Sequence, residues 1–384
     1  MEPEVEPVVP EVKPAEYLSL AAAEGEDAAI TAEAVAARGL SWVFKGEGGL
    51  RAGWSVLLFL VLFFLCMSLV GVIFYALHLV GKKSGFTASS TLFGEAVPFL
   101  GLAGAAAMVA LIEHRRSLLA FNLTGPRPVA HFLSGLAAGF VALSALIGAL
   151  AWGGWLHFGP VALSGGAILT FGVTWGCAFL LVGCFEEGMF RCYLQFTLTR
   201  GINLWWALGI EAAVTLDLVL RAKGNGIWGV YAVVALGLVP CVWLHLKKAE
   251  SAGFWQAAWV TSTLFGFIHT GNNGENWIGI FAAAAIGFVF VVSIRVTGSA
   301  WWAIGCHAAW DWAETYFYGT ADSGNVATGH LLTAAPAGNV LWSGGADGPE
   351  GSLLVLGIIV LLLAALLALY GRRQPAAAAP QLAG

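Results

Sequence analysis

Charged side chains are scarce in this chain. They make up 11% of its 384 residues against 59% apolar, and the mean hydropathy is +0.80. A soluble domain carries about a quarter of its residues as charges, so a water-facing surface is excluded and lipid is the expected solvent. An excess of positive charge is also missing. The net charge of −5 excludes a basic nucleic-acid face. Cys66, Cys177, Cys184, Cys192, Cys241 and Cys306 stand singly in apolar runs, without the spacing of a zinc ribbon or a disulfide framework. We read them as small buried hydrophobes. The zinc motif HExxH and the serine motif GxSxG are absent, which removes two common hydrolase signatures. Abundant instead are 50 glycines and 17 tryptophans, suited to close helix contacts and to anchoring at membrane interfaces.

Residues 1–45 are expected to form a disordered, acidic, cytoplasmic tail. The first 38 residues hold nine of the 23 acidic residues and four prolines, too little apolar surface to offset chain entropy. A basic n-region followed by an apolar h-region, the mark of a secretory signal, is not seen there. From residue 53 the chain reads as apolar blocks near the length that a bilayer core demands of a helix. They fall at about 53–80, 90–112, 129–156, 166–199, 203–220, 226–246, 254–270, 277–295, 299–318 and 352–370. Lacking the alternation of barrel strands, they predict an all-α polytopic bundle of about ten crossings. The expected organisation is N-terminal membrane helices over 46–160, a core over 161–320, a Gly-rich outer loop over 321–350 and a last helix with a short tail over 351–384. With the N-terminus inside, twelve Lys and Arg residues fall on the cytoplasmic side. Only Lys82, Lys83, Arg221 and Lys223 fall outside, so both termini are expected in the cytoplasm. Gly135 and Gly139 form a GxxxG pair, read as a helix-contact face.

The few charges within the apolar blocks carry the chemical argument. An ionisable group at the bilayer centre costs about 3 kcal/mol, yet Glu186, Glu187 and Arg191 crowd into six residues. Glu187 and Arg191, at i and i+4, share a helix face and can pair. Glu186 is rotated about 100° from Glu187 and has no local partner, so it is available as a general base on water. Two further blocks supply His269, at the end of Phe-Gly-Phe-Ile-His, and His307 with Asp311 at i and i+4. That last spacing suits a carboxylate orienting an imidazole, or two ligands of one metal. Counted along their helices, Glu186, His269 and His307 all lie within the membrane slab, consistent with one cavity reached from the cytoplasmic side.

Glu-Glu-x-x-x-Arg, then Phe-x-x-x-His, then His-x-x-x-Asp, in that order on separate membrane helices, resembles the CPBP (Abi, CAAX-processing) intramembrane proteases. The resemblance covers residues 185–312 and makes 161–320 the expected catalytic core. It implies Glu186 as the base that activates water and His269 as a holder of that water. Glu187 and Arg191 would support the site, and His307 with Asp311 would stabilise the oxyanion. The eukaryotic form has Asn where this chain has Asp311. An ionised carboxylate would repel an oxyanion, so Asp311 must be protonated, orient His307 or bind a metal. We expect no metal. If one binds, zinc on Glu186, His269, His307 and Asp311 is the set the residues allow.

The expected function is that of an intramembrane endopeptidase of the CAAX-processing or bacteriocin-processing type, acting on a peptide or membrane-protein substrate within the bilayer and not on nucleic acid. A bacterial inner membrane is expected from composition. The alternatives are an inactive scaffold or immunity protein of the same fold, and a proton-coupled transporter built on Glu95, Glu211 or Asp217. Trp301 and Trp302 read as interfacial anchors, and Trp310 and Trp312 as the lining of a substrate passage.

Overall fold

The computed structural model describes residues 41–46, 49–81, 85–113, 117–221, 227–272 and 274–371. Most of the expected tail lies outside these residues, as do Arg38, Lys82, Lys83, Arg115, Arg116, Lys223, Arg372 and Arg373 of the orientation count. Residues before 52 form a unit of their own. Its described part is a helical turn, Ser41–Phe44, and a small hairpin pairing Lys45 with Leu50 and Gly46 with Gly49.

Among the described residues, the second unit is a bundle of ten longer helices, besides the single helical turn Val340–Ser343. They are α1 (Ala52–Ala76), α2 (Ala88–Ile112), α3 (Pro128–Trp152), α4 (Gly166–Gly201), α5 (Leu204–Arg221), α6 (Ile227–Leu246), α7 (Ala252–Ile268), α8 (Trp277–Thr297), α9 (Trp301–Trp312) and α10 (Leu353–Tyr370). Seven of them, α1 to α4, α6, α8 and α10, are long and apolar enough to cross a membrane. The other three fall short for visible reasons. Helix α5 carries Glu211, Asp217 and Arg221, α7 has 17 residues, and α9 has 12 before a π-helical turn at Ala313–Tyr318. Leu57, Leu65, Leu69 and Val72 of α1 are exposed, which suits a helix facing hydrocarbon.

Successive helices run in opposite directions, as the contacts between their connections show. At one end Phe86 meets Trp175 edge-on at 5.1 Å, Trp155 stacks on Trp342 at 5.2 Å, and β1 (Leu156–Phe158) pairs antiparallel with β2 (Ala334–Pro336). We call this the loop end, because residues 319–350 lie there. At the other, Ala300 N donates to Asn122 O, Arg200 reaches Glu113, and Tyr370 donates to Ser134. Side-chain caps fix where helices begin at the loop end. Thr87 and Ser90 form a capping box on α2, and Asn276 and Ser352 cap α8 and α10.

The GxxxG face is used as expected. A Cβ on Gly135 would lie 2.2 Å from the Trp302 carbonyl oxygen, and one on Gly139 would lie 2.1 Å from that of Cys306. Helices α3 and α9 therefore touch backbone to backbone, which only glycine permits. Two expectations are corrected. Trp302 is 2% exposed and packs in the core against Phe290, so it anchors no interface. Of the six free cysteines, Cys192, Cys241 and Cys306 are buried but Cys177 is exposed.

Candidate active site

The last turn of the α-helical part of α4 carries Glu186 and Glu187, and the backbone then widens into a π-helical stretch, Gly188–Leu194. Such insertions alter the rotation between residues before and after them. This one is held on two sides. Asn122 Nδ2 donates to the Arg191 carbonyl at 2.8 Å, and the Tyr193 hydroxyl donates to the Ser55 carbonyl at 2.9 Å.

Glu187 and Arg191 are fully buried, with Arg191 Nε 3.2 Å from Glu187 Oε2. The guanidinium lies over the Phe265 ring at 4.1 Å, with Phe290 and Phe190 further off. Space for it exists because residue 287 is glycine: a Cβ there would stand 2.3 Å from Arg191 Nη2. Gly287 of α8 and the Phe265 ring of α7 thus seat the cation that α4 needs.

The other oxygen of Glu187 reaches α9. His307 Nδ1 lies 2.8 Å from Glu187 Oε1, while His307 Nε2 lies 3.4 Å from Asp311 Oδ2 and 3.8 Å from Glu186 Oε2. A carboxylate accepts, so Nδ1 donates to Glu187. The imidazole plane is set by stacking on Phe290, 5.8 Å between centroids and 21° apart. The expected i, i+4 pair of His307 with Asp311 is present, and the structure adds a second partner. Glu187, from another helix, orients His307, and Asp311 faces the opposite ring nitrogen. Glu187 is therefore tied to both Arg191 and His307 rather than to Arg191 alone.

Glu186 has the character expected of it. One of its carboxylate oxygens, Oε2, is buried without a hydrogen-bond partner. His269 ends α7, and its Nδ1 stands 2.7 Å from the Phe265 carbonyl oxygen. That oxygen can only accept, so Nδ1 holds the proton and Nε2 is left with a free lone pair. Glu186, His269, His307 and Asp311 line one cavity of about 220 Å³. The structure thus brings together all four residues singled out in the sequence.

The cavity extends towards the loop end, where Asn272, Asp322, Ser323 and Asn325 border it. Access from the Lys- and Arg-rich end, as expected from depth along the helices, is corrected accordingly. Trp310 lines the cavity and donates to Glu350 at 2.8 Å, whereas Trp312 donates to the Gly172 carbonyl. The sequence reading missed three lining acids. Glu95 had been weighed only as part of an ion path, and Asp322 and Glu350 sit in a loop with no periodicity to mark them. The supposed transport residues do not form a path: Glu95 belongs to this cavity, Glu211 packs against Gly237, and Asp217 pairs with Arg221 at 2.5 Å.

The nitrogen and oxygen donors of Glu186, His269, His307 and Asp311 are of the kinds that zinc takes. Among the described residues, the three ligand atoms that lie within 4.8 Å of one another belong to a separate trio of carboxylates, Glu314, Asp322 and Glu350. The Nδ1 of each histidine meets a carbonyl or Glu187, a partner that a ligating histidine also has, and His307 Nε2 lies at ion-pair distance from two acids.

With this geometry in view, residues 168–313 match the family model for type II CAAX prenyl endopeptidase Rce1-like proteins. The match spans every residue of the three motifs. No curated protein and no solved structure matches the chain. Residues 168–313 are thus similar to the CAAX-protease family that the motifs resemble, within a multi-pass bundle, and the match supports an intramembrane endopeptidase of the CAAX type in general.

Proposed function

Starting from the similarity of residues 168–313 to the CAAX-protease family, we propose that the protein hydrolyses a peptide bond close to the membrane with a water activated by Glu186 and His269. The observation that carries this is the shared cavity. A carboxylate oxygen with no hydrogen-bond partner and an imidazole Nε2 with a free lone pair both border a space large enough for water and a peptide carbonyl. Glu186 takes the proton of the attacking water, and His269 holds that water by accepting its second proton in a hydrogen bond. As the carbonyl carbon becomes tetrahedral, negative charge gathers on its oxygen. The Nε2 proton of a charged His307 is the donor available to it, and Glu187, bound to Nδ1, balances that charge. Asp311, beside Nε2, serves in its protonated form as a second donor. The proton taken by Glu186 then passes to the leaving amine.

The Lys and Arg distribution supports a reading in which both termini lie on the cytoplasmic side of a bacterial inner membrane and the loop end lies outside. On that orientation the cavity receives substrate from the outer side. This favours peptide maturation, as in bacteriocin processing, or cleavage of membrane proteins over trimming of a cytoplasmic prenylated tail. The test is to reconstitute the protein and compare peptide cleavage by wild type, Glu186→Ala and Asp217→Asn. Cleavage is expected to vanish only in Glu186→Ala, and equal rates in all three would end the reading.

A further inference from the structure

Beyond the catalytic quartet, acids gather at the roof of the cavity. Glu314 lies in the π-helical turn after α9, Asp322 in the hairpin Ala321–Val326, and Glu350 in the 3-10 turn Pro349–Gly351 before α10. Each presents a carboxylate oxygen within 4.8 Å of those of the other two. Two of the three have one neutral donor apiece. Thr315 Oγ1 donates to Asp322 at 2.7 Å and Trp310 Nε1 to Glu350 at 2.8 Å. Glu314 has none: it is 0% exposed, and both of its oxygens are buried without a hydrogen-bond partner. Next to the trio, Asp347 is also 0% exposed with Oδ1 unpartnered, and Glu275 lies beside it near Gly279. Among the described residues no lysine or arginine pairs with any of these five acids.

A fully buried carboxylate with neither donor nor counter-ion costs several kcal/mol, and here it points at two more carboxylates. Something positive must fill the gap, either protons or an ion. The donors are all oxygen, which selects calcium, magnesium or manganese over zinc or copper. Magnesium is usually held by one or two carboxylates and several waters. Calcium takes six to eight oxygens in flexible geometry. Three carboxylates from three separate segments fit the second description.

We propose that Glu314, Asp322 and Glu350 form a binding site for a hard divalent cation, calcium before magnesium, which pins the loop end over the catalytic cavity. The site is separate from Glu186, His269 and His307, none of which contributes a ligand. Its bound ion joins the end of α9, the hairpin and the turn before α10, the three segments that roof the cavity.

The test uses the full chain in detergent, stripped with EDTA and then equilibrated with calcium, magnesium, manganese or zinc at about millimolar levels, the range of weak calcium modules. Thermal unfolding is followed, together with terbium luminescence excited through the protein's tryptophans, of which Trp310 is held against Glu350. Calcium is expected to raise Tm by several degrees and to displace terbium, with a smaller response to magnesium. Glu314→Gln and Asp322→Asn should each weaken calcium binding by at least about ten-fold. Stripped Glu314→Gln should unfold no earlier than stripped wild type, because a repelling charge has gone, so lost binding cannot be put down to misfolding. No response of the wild type to any ion would overturn the site and leave protons as the neutralising charge. Binding retained in both variants, or binding of zinc alone, would overturn it equally. None of these readouts requires peptide cleavage, so the result stands apart from the proposed hydrolysis.

Discussion

Neutralising either of two adjacent carboxylates separates chemistry from architecture in this site. Glu187→Gln removes the negative charge between Arg191, 3.2 Å away, and His307, 2.8 Å away, with Glu187 and Arg191 both wholly buried. At an effective dielectric of about 20, a charge pair at that first distance is worth about 5 kcal/mol. Breaking a buried pair from one side generally costs about 3–5 kcal/mol, because the remaining charge has no partner. Glu186→Gln breaks only a longer, partly exposed contact, its Oε2 lying 3.8 Å from His307 Nε2 without a hydrogen-bond partner. Its expected effect on stability is within about 0.5 kcal/mol, while losing the base lowers cleavage by about 10²–10⁴-fold. Thermal unfolding in detergent and cleavage of a fluorogenic peptide are measured on each variant and on Glu187→Gln/Arg191→Met. Glu187→Gln should be the markedly less stable single variant, and the double variant should recover much of the loss by removing the stranded cation. The reasoning fails if the two single variants unfold at the same temperature, or if the double variant shows the sum of its parts.

Other outcomes follow from the same geometry. Gly135→Ala or Gly139→Ala drives a methyl group into the α9 backbone, and each should lower stability by about 1–3 kcal/mol, read as a shift in Tm. Asp217→Asn breaks only a partly exposed pair with Arg221, so cleavage should stay at the wild-type rate in the reconstituted assay. The loop end should also respond to pH. Burial, reinforced by the charges of Asp347 and Asp322, pushes Glu275 up to about 8, and burial pushes Asp347 up to about 6. Both folded-state values exceed the unfolded ones, so the folded chain binds more protons between about pH 4 and pH 8 and its stability falls as pH rises. In EDTA, Tm should therefore drop from pH 6 to pH 8, and a flat or rising profile would contradict it.

Much of the site was readable along the chain because charge in an apolar helix is conspicuous. Glu186, Glu187 and Arg191 declare themselves by their insertion cost, and helical spacing alone pairs Glu187 with Arg191, as found at 3.2 Å. His269 and His307 were each ambiguous singly and gained meaning only through their order. Glu314 continues the His307–Asp311 stripe but was not singled out, because nothing marked it as different from a residue at a helix end. Asp322 and Glu350 were not legible, because loop residues carry no period from which a face can be inferred. The second partner of His307, Glu187, was not legible for a related reason. An i, i+4 rule sees only one helix, whereas the orienting carboxylate comes from α4 across the bundle.

By itself, the sequence determined that this is a helical membrane bundle and which few charged residues interrupt its apolar helices. Those properties depend on local composition and helical period. Tertiary structure decided how those residues face one another: that the π-helical turn follows directly on Glu186 and Glu187, that Glu187 serves two partners, that the cavity extends to the loop end, and that three distant acids converge above it. Such facts depend on helix rotation and on the path of a 34-residue connection between α9 and α10 after its π-helical turn, and no contact between distant segments is encoded in the spacing of either one alone.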